Sequence, residues 1–400
     1  MSLLAPFVSL RNPRFARLYA AQAVSLVGDA LTWVALALLA FELAGENSPA
    51  VLGAALTMRV LAFVLLSPLA GVIADRFDRK LILVICDFGR AAVMLAIPLV
   101  SELWQLYLLV FLLNALTAFF TPTNQATVPL VTGRDEAGPA FALSSATTEL
   151  VGIAGPALAG TLALFFGGRS LFFIDAATFA LSGLLIATLP GRLRAEGGET
   201  GESTWSGIRD GTARLWRDPP VRLAVLMELV AAVAGALVLV ATVSRVKGGL
   251  GLGDAHFGLV MAAYGAGATA ASLLVGAAGK RLPRTHFIVA GALLTSLAVL
   301  PADLVGFGAL LPLWLLAGAG QNWVNLPTET LLAERTPEEA QGRVYGAHFA
   351  WSHLWWAFAY PLVGWLGGTF PDRTFLIGGV IALVLLAVLT VPQWRAVRSA

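Results

Sequence analysis

Gly71-Val72-Ile73-Ala74-Asp75-Arg76-Phe77-Asp78-Arg79-Lys80 sets five charged residues into six positions between two apolar runs, about 49–74 and about 80–100. Each run matches the ~20 residues an α-helix needs to cross a bilayer, so the charges between them read as a solvated connection. The alternation continues in both directions. It predicts twelve apolar segments at about 15–41, 49–74, 80–100, 103–122, 137–166, 169–190, 219–244, 255–279, 285–305, 308–330, 343–369 and 373–394. Composition points the same way: 58% of the 400 residues are hydrophobic and 12% charged, with a mean hydropathy of +0.80, against about 25% charged in a soluble domain. So few charges cannot clothe a water-facing surface. The predicted fold class is an all-α membrane protein with twelve transmembrane helices. The run after Arg11, Arg14 and Arg17 extends through Phe41, too long for a cleavable signal core, and reads as the first helix.

An even number of spans puts both termini on one side, and the basic residues say which. Twenty of the 26 Lys and Arg fall in the termini and the even-numbered connections; Arg169, Arg245, Lys247 and Arg373 alone occupy the odd ones. Both termini are therefore expected in the cytoplasm of a cell-membrane protein. The connection from Pro190 to Asp218 carries ten charged residues and a Gly-rich stretch, too polar to enter lipid. It divides the chain into an N-terminal six-helix bundle (1–190), a cytoplasmic linker (191–218) and a C-terminal six-helix bundle (219–400). Trp205, Ile208, Leu215 and Trp216 share one helical face of the linker, as in an interfacial amphipathic helix. With a net charge of +2 and no basic run, nucleic acid is not an expected partner; the single Cys86 excludes an internal disulfide.

A shift of 205 residues places Gly71, Arg76 and Arg79 on Gly276, Arg281 and Arg284, and Pro122-Thr123 on Pro327-Thr328. The common offset, near half the chain length, reads as two repeats, an architecture for transport.

The loop that opens at Gly71 resembles the G-x-x-x-D-R-x-G-R-R/K signature of the major facilitator superfamily, with Asp78 where the signature has its second Gly. Arg11-Asn12-Pro13-Arg14-Phe15, Ser25-Leu26-Val27-Gly28-Asp29, the stretches Pro122 to Pro129 and Gly155-Pro156 to Gly160, and Gln341-Gly342-Arg343-Val344 resemble landmarks of its multidrug-type branch, which contains macrolide-efflux-like and siderophore-exporter-like carriers. The resemblance covers nearly the whole chain. It implies a major facilitator fold of two six-helix bundles, and a conformational clasp built on Gly71, Asp75, Arg76 and Arg79. It also implies that the first, fourth, seventh and tenth helices line a cavity. The family's Arg-based proton motif in the fourth helix is missing, since Leu106 to Thr121 contains Asn114 and no Arg.

Charges inside the spans cost ~2.5–3.5 kcal/mol each at a helix centre and must face protein or water. Asp29, Arg59, Arg90, Glu149 and Glu228 lie ~13–21 Å from a membrane face at 1.5 Å per residue, near the midplane where carriers bind substrate and coupling ions. Desolvation penalises the charged form of a carboxylate, so Asp29, Glu149 and Glu228 are the expected proton-coupling residues, loading and releasing a proton as access alternates, or else anchors of a cationic substrate. The alternative for each is a permanent ion pair, such as Asp29 with Arg59. Asp87 and Arg90, at i, i+3, suit an internal ion pair, and since the resemblance implies that the third helix is peripheral, the pair is expected to be structural. Asn114, the polar band Gln321, Asn322, Trp323 and Asn325 of the tenth segment, and Trp351, His353 and Trp355 of the eleventh are expected to line the substrate cavity. Aromatic faces with scattered amides suit a bulky, partly apolar guest; an interfacial aromatic belt is the competing account of the rings. His348 and His353, five apart on one helix, diverge by ~140° and do not make a metal pair.

The expected activity is proton-coupled efflux of a hydrophobic or amphipathic small molecule by a monomer surrounded by lipid, with no cofactor and no metal. A lipid or lysolipid flippase and a siderophore or metal exporter remain alternatives on the same fold. An intramembrane aspartyl protease is a remote one: Gly251-Leu252-Gly253-Asp254 matches its short G-x-G-D string, but Asp254 lies in a predicted external loop without a Tyr-Asp partner.

Overall fold

The computed structural model describes residues 9–191, 193, 204–278, 283–337 and 340–398. Among them the chain forms thirteen α-helices: α1 (Pro13–Ala44), α2 (Ser48–Arg76), α3 (Arg79–Ala96), α4 (Leu103–Thr132), α5 (Arg134–Phe166), α6 (Gly168–Ala187), α7 (Thr204–Arg217), α8 (Pro219–Ala236), α9 (Asp254–Ala278), α10 (Arg284–Val299), α11 (Phe307–Arg335), α12 (Gln341–Thr369) and α13 (Thr374–Arg398). Twelve are the expected spans; α7 is the helix read in the linker. Beyond α8 the chain continues as two π-helical stretches, Leu237–Ala241 and Ser244–Gly249.

Side-chain placement is that of a protein whose solvent is lipid. On α3, Leu81, Ile85, Phe88 and Leu95 stand exposed, while Leu83, Cys86, Asp87, Arg90, Ala91 and Met94 are buried on the opposite face. On α13, Val380, Val384, Val388 and Val391 form a second exposed stripe. A water-facing helix would show the reverse distribution. Six stretches among the described residues are long and apolar enough to cross a membrane on composition alone; Pro13–Leu66 holds α1 and much of α2 in one. The helices α11 and α12 escape that criterion because amides, histidines and prolines dilute their apolar content.

The repeat is visible in where helices begin. Starts at Pro13, Ser48, Arg79, Leu103, Arg134 and Gly168 recur 205 residues later, to within two, at Pro219, Asp254, Arg284, Phe307, Gln341 and Thr374. Equivalent arginines act alike: Arg79 at the start of α3 donates to the Ala126 carbonyl of α4 at 2.6 Å, and Arg284 at the start of α10 pairs with Glu334 of α11 at 3.0 Å.

Several helices depart from their apolar segments. Hydropathy ends the fourth segment near residue 122, yet α4 carries Pro122 and Pro129 inside it and runs to Thr132. A proline removes one backbone donor without forbidding the helix where neighbouring helices support it; Arg79 and Asn12, whose amide donates to the Val131 carbonyl at 2.8 Å, tie down this last part of α4. The ninth segment ends early, since α10 stops at Val299. There Arg245 donates to the Ala302 and Val305 carbonyls at 2.9 and 2.8 Å, and Asp303 accepts from the Leu376 amide at 2.8 Å, so the turn is held by side chains in place of a helical ladder.

Two compact units are distinguished: Met1–Leu39 with Met58–Thr200, and Ala40–Thr57 with Gly201–Ala400. The first has a core built from α1, α3, α4, α5 and α6, centred on Phe15, Leu18, Leu83, Phe120, Leu143 and Ile186. In the second, the segment Ala40–Thr57 lies against α12. A Cβ at Gly53 would come 2.6 Å from the Tyr360 carbonyl oxygen and 3.0 Å from the Gly364 Cα, so both positions need glycine for the helices to touch. Gly53→Leu is expected to force this contact apart at a cost of about 1–3 kcal/mol, read as a melting temperature several degrees below wild type; an unchanged melt would show that the contact is dispensable.

The helix α7 corrects one detail. Its residues read as an interfacial helix, but Trp216 packs edge-on against Trp351 of α12 with ring centroids 5.1 Å apart, and Asp210 pairs with Arg343 at 3.3 Å. Protein, not lipid, covers this part of its apolar face. The side chains of Trp205 and Ile208 lie outside the described residues.

Candidate proton site and polar face

Helix α8 is almost wholly apolar. From Leu223 to Gly235 its only polar side chain is Glu228, set among the buried Leu226, Met227 and Val230. Such a carboxylate needs a partner, and His348 of α12 supplies it. His348 Nε2 lies 2.8 Å from Glu228 Oε1. On the other side of the ring, Nδ1 lies 3.6 Å from Glu329 Oε1 of α11. Burial separates one end of the row from the rest: Glu329 is 50% exposed, against 7% for His348 and 11% for Glu228. The far oxygen of Glu228, Oε2, is shielded and accepts no hydrogen bond. An exposed acid, a buried imidazole and a largely shielded acid thus stand in a row, and an imidazole can take a proton at one nitrogen and release it at the other.

The row continues along α11. Gln321, Asn325 and Glu329, spaced four apart, share one face; Gln321 Nε2 donates to Asn325 Oδ1 at 3.4 Å. Gln321 Oε1 is buried without a donor and faces Gly235 of α8, where a Cβ would sit 2.9 Å from it and 2.8 Å from the Trp356 ring. The missing side chain at 235 leaves room for both groups.

The other expected cavity residues divide. Asn322 accepts from Ser272 of α9 at 3.0 Å. Trp323 meets Phe287 of α10 edge-on, centroids 6.0 Å apart, with its indole N–H buried and unpaired. Trp355 donates to the Val225 carbonyl of α8 at 2.9 Å, and Trp351 donates to Thr212 of α7 at 3.4 Å. These two indoles hold α12 to its neighbours. His353 Nδ1 lies 2.8 Å from the Phe349 carbonyl, and its ring stacks on the exposed Phe349 ring at 3.9 Å, away from the Glu228 cluster. Asp254, the residue of the G-x-G-D string, pairs with Lys247.

In the first unit, Asp87 and Arg90 of α3 form a fully buried ion pair. Ser182 of α6 donates to Asp87 at 2.7 Å, and the Arg90 guanidinium lies between Phe120 and Phe179, 4.1 and 4.3 Å from the ring centroids. Asp29 of α1 is half-buried. Its neighbour Thr32 donates to Asp175 of α6, a completely buried carboxylate that also accepts from Thr178 at 2.9 Å. Arg59 of α2 lies over the Trp33 ring at 4.1 Å. Asn114 is turned back on its own helix, donating to the Val110 carbonyl at 2.8 Å. The side chains of Gly71, Asp75, Arg76 and Glu149 lie outside the described residues; Arg79 is the one clasp residue whose contacts are in view.

Comparison with known proteins places these features. A family model described as Major Facilitator Superfamily matches residues 18–248 and 224–398. The chain belongs to that superfamily. This major facilitator is 32% identical over 349 residues to the uncharacterized MFS-type transporter YfiS of Bacillus subtilis (strain 168), covering 82% of this chain and 81% of the relative. It is 26% identical over 179 residues to macrolide efflux protein A of Streptococcus pyogenes, 44% of either chain. The crystal structure of a mutant of the nucleoside transporter NupG superposes with a TM-score of 0.76 at 13% identity, over 94% of this chain and 99% of that one. Family and fold are those of multi-pass membrane transporters.

Within this major facilitator the residue that sequence reasoning missed is His348. The spacing to His353 excludes a metal pair and says nothing more about the ring. Its partners lie on two other helices, and no spacing along the chain reports that.

Proposed function

We propose that the protein is a proton-coupled exporter of hydrophobic or amphipathic small molecules, acting as a monomer in the cell membrane with both termini in the cytoplasm. The observation that carries this reading is the Glu329–His348–Glu228 row, in which a buried imidazole joins an exposed acid to a largely shielded one. Asp29, beside the buried Asp175, and Glu149 are the further proton-carrying positions of the proposal. Loading Glu228 neutralises a charge in an apolar helix and unloading restores it, so the preference of the carrier for one orientation follows its protonation. The macrolide-efflux relative supports the outward direction, and the cytoplasmic concentration of Lys and Arg supports the orientation. In proteoliposomes, an amphipathic dye is expected to accumulate when a pH gradient is imposed and to leak back when a protonophore collapses it. Accumulation that ignores the gradient would overturn proton coupling.

A further inference from the structure

The first unit holds an open-sided cavity of about 220 Å³ between α1, α4 and α5, with Gln125, Phe141, Ser145 and Thr148 exposed, that the proton-coupling reading does not use. Its polar lining is Gln22, Asn124, Gln125, Ser144, Ser145 and Thr148, three carboxamides and three hydroxyls. No charged side chain lines it among the described residues. Two of its groups are left unpaired: Asn124 Oδ1 and Ser144 Oγ are shielded from solvent and have no hydrogen-bond partner, on residues only 6% and 8% exposed. A buried polar atom without a partner costs about 1–3 kcal/mol, and native interiors seldom leave such atoms unexplained. The neighbouring Thr148 hydroxyl bonds back to the Ser144 carbonyl at 3.1 Å, so it does not relieve Ser144 Oγ.

We propose that this cavity is a specificity site for a neutral, hydroxyl-rich group, the sugar or polyol portion of an amphipathic substrate. Each carboxamide offers both a donor and an acceptor, and each hydroxyl can serve as either, which matches the two-way hydrogen bonding of hydroxyl groups. The absence of a counter-charge among the described lining residues disfavours an ionised group, which would lose water there without gaining an ionic partner. Val128 and Phe141 complete the lining, and Phe141 offers an apolar face on which the C–H face of a sugar ring would pack. The volume would hold about seven waters at ~30 Å³ each, room for one sugar ring. Calling the occupant a substrate rests on the transport reading above; its binding does not, and needs no proton gradient.

The test is equilibrium binding to the full-length protein in nanodiscs, using the fluorescence of two neutral probes: 4-methylumbelliferyl β-glucoside and 7-methoxy-4-methylcoumarin, which share the ring and differ in the sugar. The glucoside is expected to bind at least about tenfold more tightly, the sum of two or so hydrogen bonds. Ser144→Ala and Asn124→Ala are each expected to lower its affinity about fivefold, the worth of one hydrogen bond, and to leave the methoxy compound unaffected. Ser144→Ala removes only an unpaired oxygen, so its melting temperature is expected to stay at or above that of wild type, which separates lost binding from lost folding. Equal affinities for the two probes, no binding of the glucoside at millimolar concentration, or a sugar preference that survives both substitutions would each overturn the proposal and leave a water-filled cavity. Failure of pH-driven transport with the sugar preference intact would instead strike the coupling reading alone.

Discussion

Glu228→Gln is expected to cut pH-driven transport by about 100-fold or more, the lower range of what a positioned proton-transfer group contributes, while substrate counterflow without a gradient persists. Glutamine has the size of glutamate and keeps a hydrogen bond to His348, 2.8 Å away in the native site, so packing in the apolar helix is preserved. It cannot alternate between a charged and a neutral form, and coupling is the property lost. His348→Gln removes the ring that joins the exposed Glu329 to the shielded Glu228; flux is expected to fall about tenfold, limited by proton delivery. Glu329→Gln is expected to be mildest, because water reaches the ring from that side. Gradient-driven flux and counterflow, measured side by side in proteoliposomes, separate these effects. Wild-type gradient-driven flux in Glu228→Gln would remove Glu228 from the coupling path.

The largest expected stability effect is at the Asp87–Arg90 pair. Both side chains are at most 1% exposed, so Asp87→Leu removes the guanidinium's ion-pair partner and leaves it buried between the faces of Phe120 and Phe179. Breaking a buried pair from one side costs about 3–5 kcal/mol, a large fraction of the ~5–15 kcal/mol that holds a typical domain together. Poor yield and a strongly depressed melting temperature are expected in detergent. The double substitution Asp87→Leu with Arg90→Met removes both charges and is expected to recover most of the loss, since an apolar replacement of a buried pair is often neutral or better. A single variant that melts like wild type, or a double variant no better than the single one, contradicts this account.

How much of the site is legible in the sequence differs residue by residue. Glu228 stands out because a charge in an apolar run has a cost that any sequence displays. Its partner does not, because the 120 positions between Glu228 and His348 carry no trace of which faces of α8 and α12 meet. Trp351 and Trp355 are expected to face a substrate, on the sound ground that aromatic groups make good binding surfaces; the structure places them on α7 and α8 because an indole N–H in an interior seeks a carbonyl or hydroxyl, and both are in reach. Asn114 reads as a cavity amide, and its spacing does not reveal that Nδ2 donates to the Val110 carbonyl of its own helix. The cavity around Asn124 and Ser144 has no signature at all, since single amides and hydroxyls on three helices mean nothing until those helices pack.

Local hydropathy and the charged connections between apolar runs determined where the helices lie, and the common 205-residue offset determined the repeat, because the free energy of placing a segment in lipid is nearly a sum over its own residues. The pairing of Glu228 with His348, the burial of Arg90 between two phenylalanines, and the unpaired oxygens of the α1–α4–α5 cavity were decided only by tertiary structure. Each depends on the rotation of one helix against another, a quantity set by close packing among many side chains that no single segment contains.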